Sequence, residues 1–183
     1  ENTTCFSALY ENPKQQFKLY GNYYLVTNYA YFDSFLVAKQ DATLFNVLHV
    51  AAEKMVKLKK HWNWYVEINA QQSTANAPVN LPLLVTRNRL AFEGNFFTNL
   101  FLSTGLELRY YTNYKAAGYS PFTGQFYYQE NYYVANRPEI NAYLNFRIKS
   151  FKAFVRMENL NTLIPGNGKY NFTRENYAQN AMW

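Results

Sequence analysis

Residues 100–114 read Leu100-Phe101-Leu102-Ser103-Thr104-Gly105-Leu106-Glu107-Leu108-Arg109-Tyr110-Tyr111-Thr112-Asn113-Tyr114, and their alternation decides the fold. Successive side chains of a β-strand point to opposite faces. One face of this segment carries Leu100, Leu102, Thr104, Leu106, Leu108 and Tyr110. The other carries Phe101, Ser103, Gly105, Glu107, Arg109, Tyr111 and Asn113. An apolar side about 11 residues tall that finishes in aromatics matches a strand crossing a bilayer.

The same design recurs on both sides. Upstream, Leu90, Phe92, Gly94 and Phe96 oppose Arg87, Arg89, Ala91 and Glu93, while Trp62, Trp64, Val66 and Ile68 oppose Asn63, Tyr65, Glu67 and Asn69. Phe17 to Leu25 alternates too, and Thr3 to Tyr10 reads as a short strand. Downstream, Ile140, Ala142, Leu144, Phe146 and Ile148 oppose Asn141, Tyr143, Asn145, Arg147 and Lys149. Phe151, Ala153, Val155 and Met157 oppose Lys152, Phe154, Arg156 and Glu158. Leu44 to Leu58 fits either a short helix or a strand; the strand is favoured because the next segment alternates strongly across a short link.

Connections between these segments alternate in length. They are short at residues 11–14, 57–60, 97–99 and 149–150, and long at 29–42, 71–81 and 115–137. Short turns at one end and long loops at the other are the habit of outer-membrane barrels. A soluble sandwich has no reason to sort its connections by end. About nine strand segments are countable, the last beginning at Tyr177–Trp183, whereas bacterial single-chain barrels have even strand numbers. We therefore expect an all-β, transmembrane antiparallel up-and-down barrel, with residues 1–183 one domain of a longer wall truncated at one or both ends.

Composition agrees. Apolar residues make up 49% of the chain, yet mean hydropathy is −0.40, the signature of apolar and polar residues interleaved. The 18 Tyr and 15 Phe bring aromatics to 20%, and such rings suit places half dry and half wet. The net charge of +6 leaves nucleic acid open as a partner, but the basic residues alternate with Leu, Ile and Phe instead of forming a solvated patch. Cys5 is the single cysteine and forms no metal or redox motif.

The run Leu81-Pro82, Arg87 to Gly94, and Leu102-Ser103-Thr104-Gly105-Leu106-Glu107-Leu108-Arg109-Tyr110-Tyr111 resembles the C-terminal half of the putative porins of Bacteroidetes. So do Tyr114 to Tyr127 and Arg137-Pro138-Glu139-Ile140-Asn141-Ala142. The resemblance spans about residues 44 to 180. Arg137 stands where an aromatic is expected, and Asn176-Tyr177-Ala178-Gln179 lacks the family's proline. The resemblance implies a β-barrel porin of a Gram-negative outer membrane, longer than this chain.

The polar face supplies the candidate lumen lining: Arg87, Arg89, Glu93, Glu107, Arg109, Arg147, Lys149, Lys152, Arg156 and Glu158. A basic lumen would favour anions; the competing expectation is that Arg and Glu satisfy one another inside a filled barrel. Trp62, Trp64, Tyr110, Tyr111 and Tyr114 are the candidate interface girdle. His49 and His61 lack metal-ligand spacing, and no second acid accompanies Glu107 for acid–base chemistry. Ser103 has no His assignable to it as a base. No enzyme and no cofactor is expected. The expected partners are the lipid bilayer, small solutes and other outer-membrane or periplasmic proteins, not nucleic acid. Two functions fit: a channel for passive diffusion of small solutes, or a plugged structural barrel within a larger envelope complex.

Overall fold

The computed structural model describes residues 1–163 except 75, 97, 98 and 135–137. Its strands are β1 (Asn2–Asn12), β2 (Phe17–Thr27), β3 (Tyr29–Phe32), β4 (Ala38–Asp41), β5 (Phe45–Lys59), β6 (Trp62–Ser73), β7 (Leu84–Phe96), β8 (Leu100–Tyr111), β9 (Gly118–Ser120), β10 (Gln125–Tyr127), β11 (Glu139–Ile148) and β12 (Phe151–Met157). A single 3₁₀ turn follows at Leu160–Leu163. No helix in the described residues is long and apolar enough to cross a membrane, which says nothing of strands.

Eight strands form one antiparallel sheet in the order β1-β2-β5-β6-β7-β8-β11-β12. Every neighbour in that sheet is also the next long strand in sequence, so the wall is up-and-down throughout. Among the described residues the sheet is open, with β1 and β12 each paired on one side only. Phe45–Lys59 is strand rather than helix, as its alternating pattern and short link to β6 require. Its pairing shifts by one residue between Lys57 and Lys59, a bulge beside the turn.

The short connections lie at 13–16, 60–61 and 149–150; the last is where the sequence places it, and the first two fall one to three residues later than expected. The connection at 97–99 is described only at Asn99. Two long connections hold structure that a loop reading misses. Within residues 28–44, β3 and β4 form a hairpin, and within 112–138, β9 and β10 form another. Gln125–Tyr127 folds back on Gly118–Ser120, and Val134 makes an isolated bridge to Tyr114. Arg137, the segment after Leu163 and the expected strand at Tyr177–Trp183 lie outside the described residues.

No large side chain among the described residues is fully buried. A soluble sheet would bury one face against a second layer. Here Phe6, Leu19, Leu48, Val50, Trp64, Ile68, Leu90, Leu106, Leu108, Leu144, Ile148 and Val155 are all exposed. The pairing register puts every one of them on the same face. An apolar band running across eight strands far exceeds the few hundred Å² a soluble monomer leaves open. It is the face a bilayer would cover.

Among the described residues, one buried apolar cluster sits at the long-connection end of the opposite face. Val26 and Phe45 pack there with Ala77, flanked by Tyr24, Tyr29, Val47 and Val79. The long connections also lock to one another. The Tyr128 amide donates to the Phe32 carbonyl at 2.7 Å, Asn80 Nδ2 donates to the Gln129 carbonyl at 2.8 Å, and Tyr31 and Tyr128 meet edge to face.

Candidate functional site: a charged face

The register converts alternation within each strand into rows across strands. One row runs Glu11, Lys18, Glu53, Glu67, Arg87, Arg109, Glu139, one charged residue from each of seven consecutive strands. The next row reads Met55, Tyr65, Arg89, Glu107, Asn141. The row beyond that reads Asn63, Ala91, Gly105, Tyr143, Arg156. Arg87, Arg89, Glu93, Glu107, Arg109, Arg147, Lys152 and Arg156 therefore share one face, with Glu158 continuing it in a bridge just past β12. Lys149 does not lie on a strand; it occupies the β11–β12 turn with φ of 52°.

The centre of this face is Glu107, only 5% exposed. Its Oε2 accepts from Arg87 Nη2 at 2.7 Å, and its Oε1 accepts from Arg109 Nε at 2.9 Å. Arg156 Nη2 stands 3.8 Å from the same Oε1. Arg87 and Arg109 are direct cross-strand neighbours, an arrangement that like charges disfavour. The shared carboxylate between them removes the conflict. Arg156 also pairs with Glu158 at 2.8 Å, and Arg87 reaches Glu67 at 3.9 Å.

Two further acids of the face are engaged by hydrogen bonds. Glu93 Oε2 accepts from Asn63 Nδ2 at 2.6 Å and from the Tyr65 hydroxyl at 3.1 Å. Glu139 Oε1 accepts from the Tyr111 hydroxyl at 3.1 Å. Of the cations on β7 to β12, three lack a carboxylate partner among the described residues. Arg89 lies over the Tyr65 ring, 4.1 Å from its centroid, and Arg147 lies over Phe101 at 5.6 Å. Lys152 stands opposite Arg147 across the β11–β12 pair. Charge is therefore uneven: β1 to β6 carry Lys18 and Lys57 against Glu11, Glu53 and Glu67, and the basic excess belongs to β7 to β12.

The candidate girdle divides. Trp62 and Trp64 lie on the apolar face next to the 60–61 turn, and Trp62 meets Phe92 edge to face at 5.3 Å. Tyr110 shares that face, whereas Tyr111 turns to the charged one. Tyr114 lies past β8, in its bridge to Val134, and packs edge-on to Tyr111.

The histidines serve the sheet. His49 sits between Asn22 Nδ2 at 3.3 Å and Asn69 Oδ1 at 3.1 Å, and His61 Nδ1 contacts the Glu93 carbonyl at 3.1 Å. No group of metal-ligating residues occurs among the described residues. Glu11, Lys18, Glu53, Glu67 and Glu139 complete the charged row and escape a strand-by-strand reading. Their parity was visible, but a row exists only once register is known.

Compared with family models, residues 1–183 match the family described as "Putative porin". Searches of curated proteins and of solved structures give no match.

Proposed function

The chain belongs to the family of putative porins, and from that premise we propose that it forms part of the wall of an outer-membrane channel for passive diffusion of small solutes. A porin-like role at the outer membrane is what the family supports in general. The observation that carries the finer reading is the division of the wall into an exposed apolar band and a single charged face. In a bilayer the band meets lipid and the charged face lines water. Arg87, Arg89, Glu93, Glu107, Arg109, Arg147, Lys152, Arg156 and Glu158 are then lumen residues, and Trp62 and Trp64 sit at the interface nearer the short turns.

No chemistry is assigned to the wall. The carboxylates of Glu67, Glu93, Glu107, Glu139 and Glu158 are held in ion pairs and hydrogen bonds, and the wall's role is to shape the field that solutes cross. The basic excess on β7 to β12 favours anions modestly. The full-length protein in planar bilayers, under a salt gradient, should give stepwise conductance with a reversal potential displaced toward the anion. A silent protein would support the plugged structural barrel instead, and a cation-selective one would overturn the assignment of these residues.

A further inference from the structure

Arg89 stands directly opposite Glu107 in the β7–β8 pairing, yet makes no ion pair with it. Both oxygens of Glu107 are taken by Arg87 and Arg109, with Arg156 close by. The Arg89 Nε is buried and has no hydrogen-bond partner. Buried donors are almost always satisfied, so an orphan calls for a missing acceptor. Its guanidinium plane is held over Tyr65 at 4.1 Å, which occupies the face of the group and leaves its N–H edge for an in-plane acceptor.

That residue lines a recess on the charged face together with Arg87, Glu107, Asn141, Asn145 and Arg156. Three guanidiniums face one carboxylate there, and that carboxylate already has its partners. Of the remaining acids nearby, Glu158 is committed to Arg156, Glu67 accepts from Asn69 and reaches Arg87, and Glu93 is held by Asn63 and Tyr65. Arg87 and Arg156 keep about two-fifths of their side-chain surface open, at 43% each, so they retain N–H groups to donate outward. Arginine forks match the paired oxygens of carboxylate and phosphate groups.

We propose that this recess is a binding site for a small oxyanion, a phosphate or carboxylate group carried by a passing solute, held principally by Arg89 with Arg156 and Arg87 beside it. The proposal rests on the reading of the charged face as a lumen wall, but its test does not need conduction. Glu107 acts as the internal template: it draws three arginines together and leaves the fourth for the solute. Asn141 and Asn145 supply neutral donors at the β11 side.

The test is titration of the full-length protein in detergent with inorganic phosphate and, separately, acetate, at constant ionic strength against chloride. Phosphorus-31 resonance line broadening reports the first, and calorimetry both. Saturable binding of either probe is expected. Arg89→Gln should weaken it about tenfold or more, since one charge-assisted donor pair is lost. Arg89→Lys keeps the charge without the fork and should recover only part of the loss. Lys152→Gln, which removes an unpaired cation outside the recess, should leave affinity within about twofold. Linear, unsaturable uptake would overturn the site. So would equal losses in the Arg89 and Lys152 variants, which would mean diffuse charge alone. A protein that binds phosphate but passes no current would end the channel reading and leave this site standing.

Discussion

Glu107 shows what a single residue can decide on a one-layer wall. Its parity within β8 is plain in the sequence, and so is that of Arg109 on the same face. Its two stronger partners, however, come from different strands by different routes: Arg109 is two residues away, while Arg87 arrives only through register. Glu107→Gln keeps the shape and removes the charge that joins three guanidiniums. Breaking a buried pair costs about 3–5 kcal/mol, and the half-open arginines reduce that by solvent screening to about 2 kcal/mol. The urea midpoint of the protein in detergent should fall accordingly, and an unchanged midpoint would mean that the cluster contributes nothing to stability. Gly105 makes a different point. A Cβ built there runs into the Leu90 backbone carbonyl of the paired strand. Gly105→Ala must therefore push β7 and β8 apart, at about 1–3 kcal/mol by the usual cost of overpacking. The neighbouring Ser103→Ala, at a half-buried position on the same strand, removes an atom instead of adding one and is the control for overpacking; it should cost less than Gly105→Ala.

Short elements were hidden where long ones were not. A strand of 10 or more residues repeats its alternation often enough to be read, and seven of the eight wall strands are that long; β12, with seven residues, is read because it alternates directly after the turn that follows β11. The hairpin of β3 and β4 has four residues a side, Tyr29–Phe32 and Ala38–Asp41, too few for a period to emerge from a polar surrounding. What holds it is local. Asp33 Oδ1 accepts from the Phe35 and Val37 amides at 2.9 and 3.0 Å, and Asp33 Oδ2 meets Lys39 Nζ at 2.9 Å. The bond from Lys39 leads the causes that hold the Asp33 carboxyl below its ordinary value, with the Val37 and Phe35 amides adding to it. The same pair lifts Lys39 above its own ordinary value. A depressed carboxylate contributes at neutral pH and loses that contribution as pH falls through its folded pKa. A raised lysine loses its contribution only as pH rises through its own. The hairpin tip should thus be intact between those limits and loosen in acid. The amide resonances of Phe35 and Val37 should titrate with a midpoint below about 3.9, the free aspartate value, and Asp33→Ala should remove the titration. A midpoint at or above the free value would show that the carboxylate is not engaged. Tyr128, which touches this hairpin, offers a second readout: burial, then its bond to Glu130, pushes its hydroxyl up to about 12, so it should stay neutral well past the ordinary tyrosine range.

At the scale of the whole molecule, fold and site are two views of one constraint. A wall of a single layer has no interior of its own, so each strand must satisfy two solvents, and strict alternation follows. That is why the all-β, up-and-down architecture was readable from one chain, down to the sorting of short and long connections. Rows were not readable, because they depend on the offset between strands, and a turn two residues longer or shorter changes every partner. The seven-residue charged row and the sharing of Glu107 belong to that second layer of information. Both layers can be tested together by asking which side of the wall meets water. In a Cys5→Ser background, single cysteines at Asn69, Ser103 and Asn145 sample the charged face, and cysteines at Leu90, Leu106 and Leu144 sample the band. Leu90 and Leu106 are cross-strand partners, as are Ser103 and Asn145, so each pair also checks the register. With the full-length protein in lipid vesicles, a charged thiosulfonate should modify the first set and spare the second. A fluorophore attached to the second set should be quenched by brominated acyl chains, and one on the first set should not. Uniform labelling of both sets would mean that the band is not covered by lipid, and the reverse pattern would mean that the wall faces the other way. Labelling that alternates from one residue to the next along β8 is the result that a lipid-and-water wall demands.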